Sequence, residues 1–385
     1  MLFEDVVSIK QHNIKKILTA IRFNDHLTKR NISNQTGLSL ATITNLCGEL
    51  TLKGIISEGT PYKESRVGRT PSLMRFHYDR FYVLALDFQY SNTVGIAIMN
   101  LRNEICLSDS LCISATNSIE EIIVYVKERA NQLIDQMGVR NCIIGVGASI
   151  PAVHDSNDGL IKCSALPRYQ NTPMKKLLSE AFDCDAYVDN CANIRAISAY
   201  AQHAEPCIVC LDVSQGVGCG LMIDGDVLRG KNGYATEIAH IPLGDPTRKC
   251  PTCGSYGCVE TDLNIEYIIN QFEEIAPSYP LTERWKICLG LIEKKAEKVE
   301  ELFKYLGKLL GQVASILINL FDPYSFYITG FITDIFQYLE PYFWKEVQGR
   351  CQESLSRNLP IKVCPYDWSD VYIGISDALY HRWLP

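Results

Sequence analysis

Two apolar segments of this chain end alike: Tyr82 to Leu86 runs into Asp87, and Cys207 to Leu211 runs into Asp212, 125 residues later. Each is followed by a polar loop and a second apolar segment, so the pattern predicts a duplicated unit with a cleft between two lobes. Further short runs rich in Val, Ile, Tyr and Phe (TVGIAIM, NCIIGVGAS, AYVD, GCGLMI and YSFYITG) alternate with amphipathic stretches at 118–137, 173–182 and 297–320. Strand-like runs separated by helical ones indicate an α/β fold with helices on the sheet faces. At 385 residues the chain is too long for one compact core, so two or three domains are expected.

The first eighty residues have a different texture. Asn13 is placed to cap a helix whose apolar positions Ile14, Ile17, Leu18 and Ile21 fall on one face. A second short helix is expected from about Thr28, carrying Lys29 and Ile32. The run Gln35-Thr36-Gly37-Leu38-Ser39 supplies a turn glycine and a capping serine, after which Ile43, Leu46, Cys47 and Leu50 share a face. This is the order of a helix-turn-helix. Thr42, Thr44 and Asn45 then point away from the core, as short polar groups able to hydrogen-bond base edges in a major groove, and the capping Ser39 is counted with them as DNA-binding. The segments 55–57 and 72–76 read as strands of a hairpin whose loop holds Lys63, Arg66 and Arg69, a basic wing suited to a minor groove. Such a module could also serve packing or dimerisation alone. The glycine, serine and wing arriving in this order favour double-stranded DNA.

Charge agrees with that division. Residues 1–80 hold 12 Lys and Arg against 7 Asp and Glu, whereas the remainder holds 25 against 37, a basic head on an acidic body. The opening MLFEDVVSIKQHN has acids before any apolar run, and no stretch approaches the ~18 apolar residues of a membrane span. Neither export nor membrane insertion is expected. The 16 cysteines lie mostly inside apolar runs, which suits small core thiols in a reducing cytoplasm.

Four ordered motifs resemble those of the ROK family (repressors, open reading frames and kinases). GRTP is similar to the family's glycine–arginine–arginine–proline wing, and VDNCANIRA to its catalytic-loop segment. SQGVGCGLMIDGDVLRGKNGYATEIAH resembles its glycine-rich signature, and CPTCGSYGCVE its zinc-binding knuckle. The resemblance implies a winged helix-turn-helix at 1–78, then a two-lobed body at 79–385 of the actin-like, sugar-kinase and ribonuclease H-like type. Lobe one would take about 79–204 plus a C-terminal helix at 369–385. Lobe two would take about 205–368, with the zinc knuckle at 240–260.

His240 lies ten positions before Cys250, with Cys253 and Cys258 following and Gly254 and Gly257 allowing sharp turns. Three thiolates and an imidazole make a closed tetrahedral set, so a structural Zn2+ is expected. Two residues separate the first cysteine pair where the family usually has one, and three free thiols in a loop is the alternative.

The same resemblance implies sugar contacts at Asn190, Glu237, His240 and Glu260, whose oxygens and ring nitrogen suit a polyol. The chemistry side departs from the family. The expected aspartate–hydrophobic–glycine–glycine–threonine phosphate loop reads Asp87-Phe88-Gln89-Tyr90-Ser91, with side chains where bare backbone must approach phosphate. The catalytic aspartate is replaced by Cys191, a thiol with a reference pKa of about 8.5 that is protonated at neutral pH. The adenosine-side turn is reduced to Thr329-Gly330-Phe331.

These readings converge on a cytoplasmic transcription regulator, a repressor of carbohydrate genes, that senses a sugar or sugar derivative without phosphorylating it. A homodimer or tetramer would place two heads on an operator. The alternatives are a ROK-type carbohydrate kinase and a ligand-independent regulator gated by a protein partner.

Overall fold

The computed structural model describes residues 6–24, 26–61, 72–114, 116–155, 158–164, 166–295, 299–353 and 359–383. Three helices open the chain: α1 (Val6–Arg22), α2 (Lys29–Thr36) and α3 (Leu40–Leu52). Strands β1 (Ile56–Pro61) and β2 (Ser72–Phe76) follow as an antiparallel pair. Local chemistry sets these boundaries. Thr28 and Asn31 form a reciprocal capping box at the start of α2, Gly37 takes φ 71° at its end, and the Ser39 side chain accepts from the Thr42 amide to start α3. The expected cap at Asn13 is overturned, because α1 already runs from Val6; no Gly or Pro precedes Asn13, and a single Asn costs an established helix little. β1 is also longer than the expected strand, since its ladder with β2 continues past Ser57. Lys63, Arg66 and Arg69 lie outside the described residues.

The body contains two five-stranded sheets of one design. In the first, β3 (Tyr82–Asp87), β4 (Thr93–Asn100) and β5 (Ile105–Cys112) form an antiparallel meander, and β6 (Ile143–Ile150) and β9 (Asp185–Asn190) extend it in parallel. A small hairpin, β7 (Ala152–His154) and β8 (Ile161–Ser164), lies between them in sequence. In the second sheet β10 (Cys207–Val213), β11 (Val217–Ile223) and β12 (Asp226–Val227) form the meander, with β13 (Ser325–Thr329) and β14 (Ile361–Cys364) in parallel. The orders β5-β4-β3-β6-β9 and β12-β11-β10-β13-β14 are equivalent, so Asp87 and Asp212 occupy the same place in the two lobes. β5 was not among the expected strands, because an edge strand alternating exposed and half-buried residues has no continuous apolar run.

Helices α4 (Ile119–Met137) and α5 (Met174–Phe182) pack with lobe one; α7 (Ile265–Ile269), α8 (Leu281–Lys295), α9 (Glu300–Phe321) and α10 (Phe336–Arg350) belong to lobe two. Between the sheets lie α6 (Cys191–His203) and the last helix, α11 (Trp368–Trp383). The two touch closely: a Cβ on Gly374 of α11 would stand 2.1 Å from the Ile194 carbonyl of α6. One continuous buried cluster joins these helices to the core of the amino-terminal head, through Ile375, Leu379 and Tyr380 on one side and Met74 and Phe76 on the other. Burying such side chains contributes roughly 1.5–3 kcal/mol each, so the head is seated on the body by apolar area as well as by polar links. No described helix is long and apolar enough to cross a membrane, and none of the cysteines is in a disulfide.

Candidate functional site

In the head, Ser39, Thr44 and Asn45 are exposed along α3 and Thr42 is half-buried beside them. The Ser39 and Thr42 hydroxyls bond each other at 2.8 Å, and the Thr44 hydroxyl donates to the Leu40 carbonyl at 2.8 Å. These bonds hold a short polar row in fixed rotamers, with Asn45 presenting an amide beyond them. Lys29 pairs with Glu58 on β1, 2.5 Å away, which links the hairpin to α2. The neighbouring Arg30 is exposed and passed unnoticed in the sequence.

The body carries an open-mouthed cleft of about 130 Å³ between the lobes, and Asn190, Glu237, His240 and Glu260 all line it. Asn190 ends β9 and caps α6: its Oδ1 accepts from the Ala192 amide at 2.8 Å and its Nδ2 donates to the Ala152 carbonyl at 3.1 Å. Glu260 accepts from the Thr252 hydroxyl at 3.0 Å. Burial, reinforced by the nearby Glu260 charge, pushes the Glu237 carboxyl up to about 7, so at neutral pH it can donate as well as accept. The cleft therefore offers alternating donors and acceptors over a partly apolar floor, an arrangement that hydroxyl-rich ligands can satisfy. The glycines of the β10–β11 turn have packing roles: a Cβ on Gly220 would lie 2.1 Å from the Ala192 carbonyl, which brings β11 against the first turn of α6.

Beside Glu260, the donor atoms of His240, Cys250, Cys253 and Cys258 all lie within 4.8 Å of one another. Cys253 Sγ is 3.5 Å from Cys258 Sγ, and Cys250 Sγ is 3.7 Å from His240 Nδ1. These separations suit four ligands on one ion at about 2.0–2.3 Å each, and Gly254 and Gly257 take the positive φ values the turns require.

The other end of the cleft is filled by the protein itself. Arg195, buried on α6, donates to Gln89 Oε1 at 2.8 Å and Thr329 Oγ1 at 3.2 Å, and its Nε lies 3.5 Å from Asp212 Oδ2. Gln89 Nε2 donates to the same Asp212 oxygen at 3.2 Å. The Tyr366 hydroxyl donates to Asp87, while its ring lies under the Arg195 guanidinium at 4.4 Å. Tyr90 packs edge-on against Phe331 and Tyr366, with ring centroids 5.8 and 5.2 Å away. Both strand-end aspartates thus face an internal cation and aromatic side chains. Cys191 is buried and accepts from the Ser149 hydroxyl at 3.2 Å. Burial, and then the Asp87 charge, push its thiol well above the ordinary value, so it stays protonated.

The pattern of the ROK family spans residues 91–369, most of the chain. The protein belongs to the ROK family. A winged helix-turn-helix DNA-binding pattern matches residues 11–57 of its head. This ROK protein is similar to the xylose repressor of Caldicellulosiruptor bescii (24% identical over 340 residues, 82% of each chain). It is also similar to the DNA-binding transcriptional dual regulator NagC of Escherichia coli K12 (24% over 372 residues, 92% of this chain and 88% of that one). Among solved structures, a ROK family transcriptional regulator described as a homologue of the E. coli MLC protein superposes with a TM-score of 0.79 at 20% identity, covering 98% of both chains.

Arg195 and Tyr366 are the site residues that sequence reasoning missed. The available signal for Arg195 was a lone charge on an otherwise apolar helix, since a buried guanidinium requires partners. Tyr366 lies in a connection with no pattern of its own.

Proposed function

We propose that this ROK protein is a sugar-responsive, DNA-binding transcriptional repressor that does not phosphorylate its ligand. One observation carries the reading: Asn190, Glu237, His240 and Glu260, which this reading assigns to a polyol, line the cleft, while Arg195, Gln89 and Tyr366 interlock with Asp87 and Asp212 at the strand ends. In this reading a nucleotide's phosphates would have to displace the buried Arg195 guanidinium, which bonds Gln89 and Thr329. Cys191 offers a protonated thiol where phosphoryl transfer needs a carboxylate base.

In this reading residues 1–78 form the DNA-binding head and 79–385 the sensor body, lobe two carrying the zinc knuckle. A zinc ion held by His240, Cys250, Cys253 and Cys258 is structural, because four protein ligands leave no open position. It ties the turn bearing Glu237 to the one bearing Glu260. Thr42, Thr44 and Asn45 address base edges, with Lys29, Ser39, Arg66 and Arg69 at the backbone or minor groove. A homodimer places two heads on an operator, phosphate contacts supplying much of the affinity. A sugar acts only by preferring one separation of the lobes over another.

The test compares a sugar panel in three assays on one preparation: thermal stabilisation, affinity for duplex DNA from the chain's own upstream region, and ATP consumption. The expected result is stabilisation by one sugar class, a matching change in DNA affinity, and no sugar-dependent ATP turnover. Hexose-dependent ATP consumption at ordinary kinase rates would overturn the reading, as would failure to bind that DNA.

A further inference from the structure

A second cavity, of about 100 Å³, shares Arg229 with the cleft. Its basic lining residues come from three elements. Lys175 comes from the first turn of α5, Arg382 from the last turn of α11, and Arg229 from the loop after β12, which crosses from lobe two; Tyr187 of β9 lies among them. Among the described residues, no carboxylate lines this cavity. The counter-charges stand outside its wall: Asp189 bonds Arg229 at 2.5 Å, and Asp185 lies 3.3 Å from Arg382. The Tyr187 hydroxyl is committed to Asp189, and the Arg382 guanidinium sits 5.8 Å from the Tyr187 ring centroid.

Three basic side chains border one small space, and the space admits more than water. A single water needs about 10–15 Å³ of such volume, so the cavity holds several waters or one ion of four or five heavy atoms. Two of the three cations are guanidinium groups, whose planar N–H pairs match the oxygens of a tetrahedral oxyanion.

We propose that this cavity binds a small tetrahedral oxyanion, with phosphate as its simplest form, clamped by Lys175, Arg229 and Arg382. The bound anion joins the lobes at a sensitive place. Arg229 is the lobe-two side chain that neutralises Asp189, and Asp189 Oδ1 accepts from the Asn190 amide at 2.8 Å and from Asn193 Nδ2 at 2.9 Å. An anion that draws Arg229 outward therefore acts on the residue that positions Asn190 in the cleft. The consequence for Asn190 rests on the sugar reading of the cleft; the binding does not.

The experiment uses the full-length protein without sugar or DNA, titrated with inorganic phosphate against chloride at matched ionic strength, and read by thermal shift and calorimetry. Phosphate is expected to raise the melting temperature saturably, beyond the chloride effect. Lys175→Gln and Arg382→Gln, made at a half-buried and an exposed side chain, should each weaken phosphate binding about tenfold or more, as expected for loss of a charge-assisted hydrogen bond. A parallel titration with methyl phosphate tells whether the site prefers the free anion or the end of an ester, according to which binds more tightly. A shift that chloride reproduces, or wild-type phosphate affinity in either variant, overturns the proposal; these outcomes leave the sugar assays untouched.

Discussion

Arg22, the last residue of α1, is the polar joint between the head and the body, and replacing its partner Asp377 with Asn tests what that joint does. The Arg22 side chain is 3% exposed and that of Asp377 5%, so solvent screens neither. Nη1 meets Asp377 Oδ1 at 2.6 Å, Nη2 meets Asn103 Oδ1 at 2.7 Å, Nε donates to the Leu101 carbonyl, and the guanidinium lies 3.8 Å from the Tyr380 ring centroid. Removing one member of a buried pair leaves the other charge without compensation, at a cost of about 3–5 kcal/mol. The carboxyl gives an independent value. Burial alone would raise its pKa, but the His381 hydrogen bond and the Arg22 charge hold it down to about 2 from an ordinary 3.8. At about 1.4 kcal/mol per unit, that depression is worth about 2–3 kcal/mol of folded stability at neutral pH. Because the folded pKa is the lower one, this stability is fully present above the ordinary value and is lost as pH falls through about 4 towards 2. Asp377→Asn should therefore cost about 3 kcal/mol in urea unfolding at pH 7, and its gap from wild type should narrow over that acid range. α11 packs on α6, which Asn190 caps, so the same variant should bind sugar while losing most of the sugar effect on DNA affinity. In a cycle with Arg22→Met, the two losses should overlap by at least about 1 kcal/mol; additivity within about 0.5 kcal/mol would refute the coupling.

Four further outcomes are expected. Cys191→Asp should not confer ATP-dependent sugar phosphorylation, because Arg195 and Tyr366 still fill the phosphate space; a coupled kinase assay showing turnover would contradict this. Gly220→Ala should destabilise by about 1–3 kcal/mol in urea unfolding, since its Cβ meets the Ala192 carbonyl. Metal analysis should find one zinc per chain that Cys258→Ser largely abolishes, and stripping it with a chelator should lower both the melting temperature and sugar stabilisation. Ser39→Ala should cost about 1 kcal/mol by removing the cap of α3, whereas Asn45→Ala should leave stability within about 0.5 kcal/mol of wild type and weaken DNA binding in a mobility-shift titration.

The legible parts were those whose physics is local. A capping residue and its amide lie three positions apart, as with Ser39 and Thr42, and a turn glycine acts where it stands, so the head could be read along the chain. The metal donors fall within a short stretch, and the strand ends at Asp87 and Asp212 repeat because the two sheets do. The Asn13 cap failed because Asn tolerates a helix interior, and the Lys29–Glu58 ion pair was not legible because Glu58 lies on a different element.

The order of residues by itself therefore determined the division into a basic head and a duplicated α/β body, the Asp87-Phe88-Gln89-Tyr90-Ser91 run at the first strand end, and the donor set for a metal. Only the tertiary structure decided what packs between the two strand-end aspartates and how the head is joined to the body. Arg195 finds Gln89 106 positions away and Arg22 finds Asp377 355 away, and no spacing rule reaches that far. A buried guanidinium must have partners, but which ones depends on which helices the cores press together.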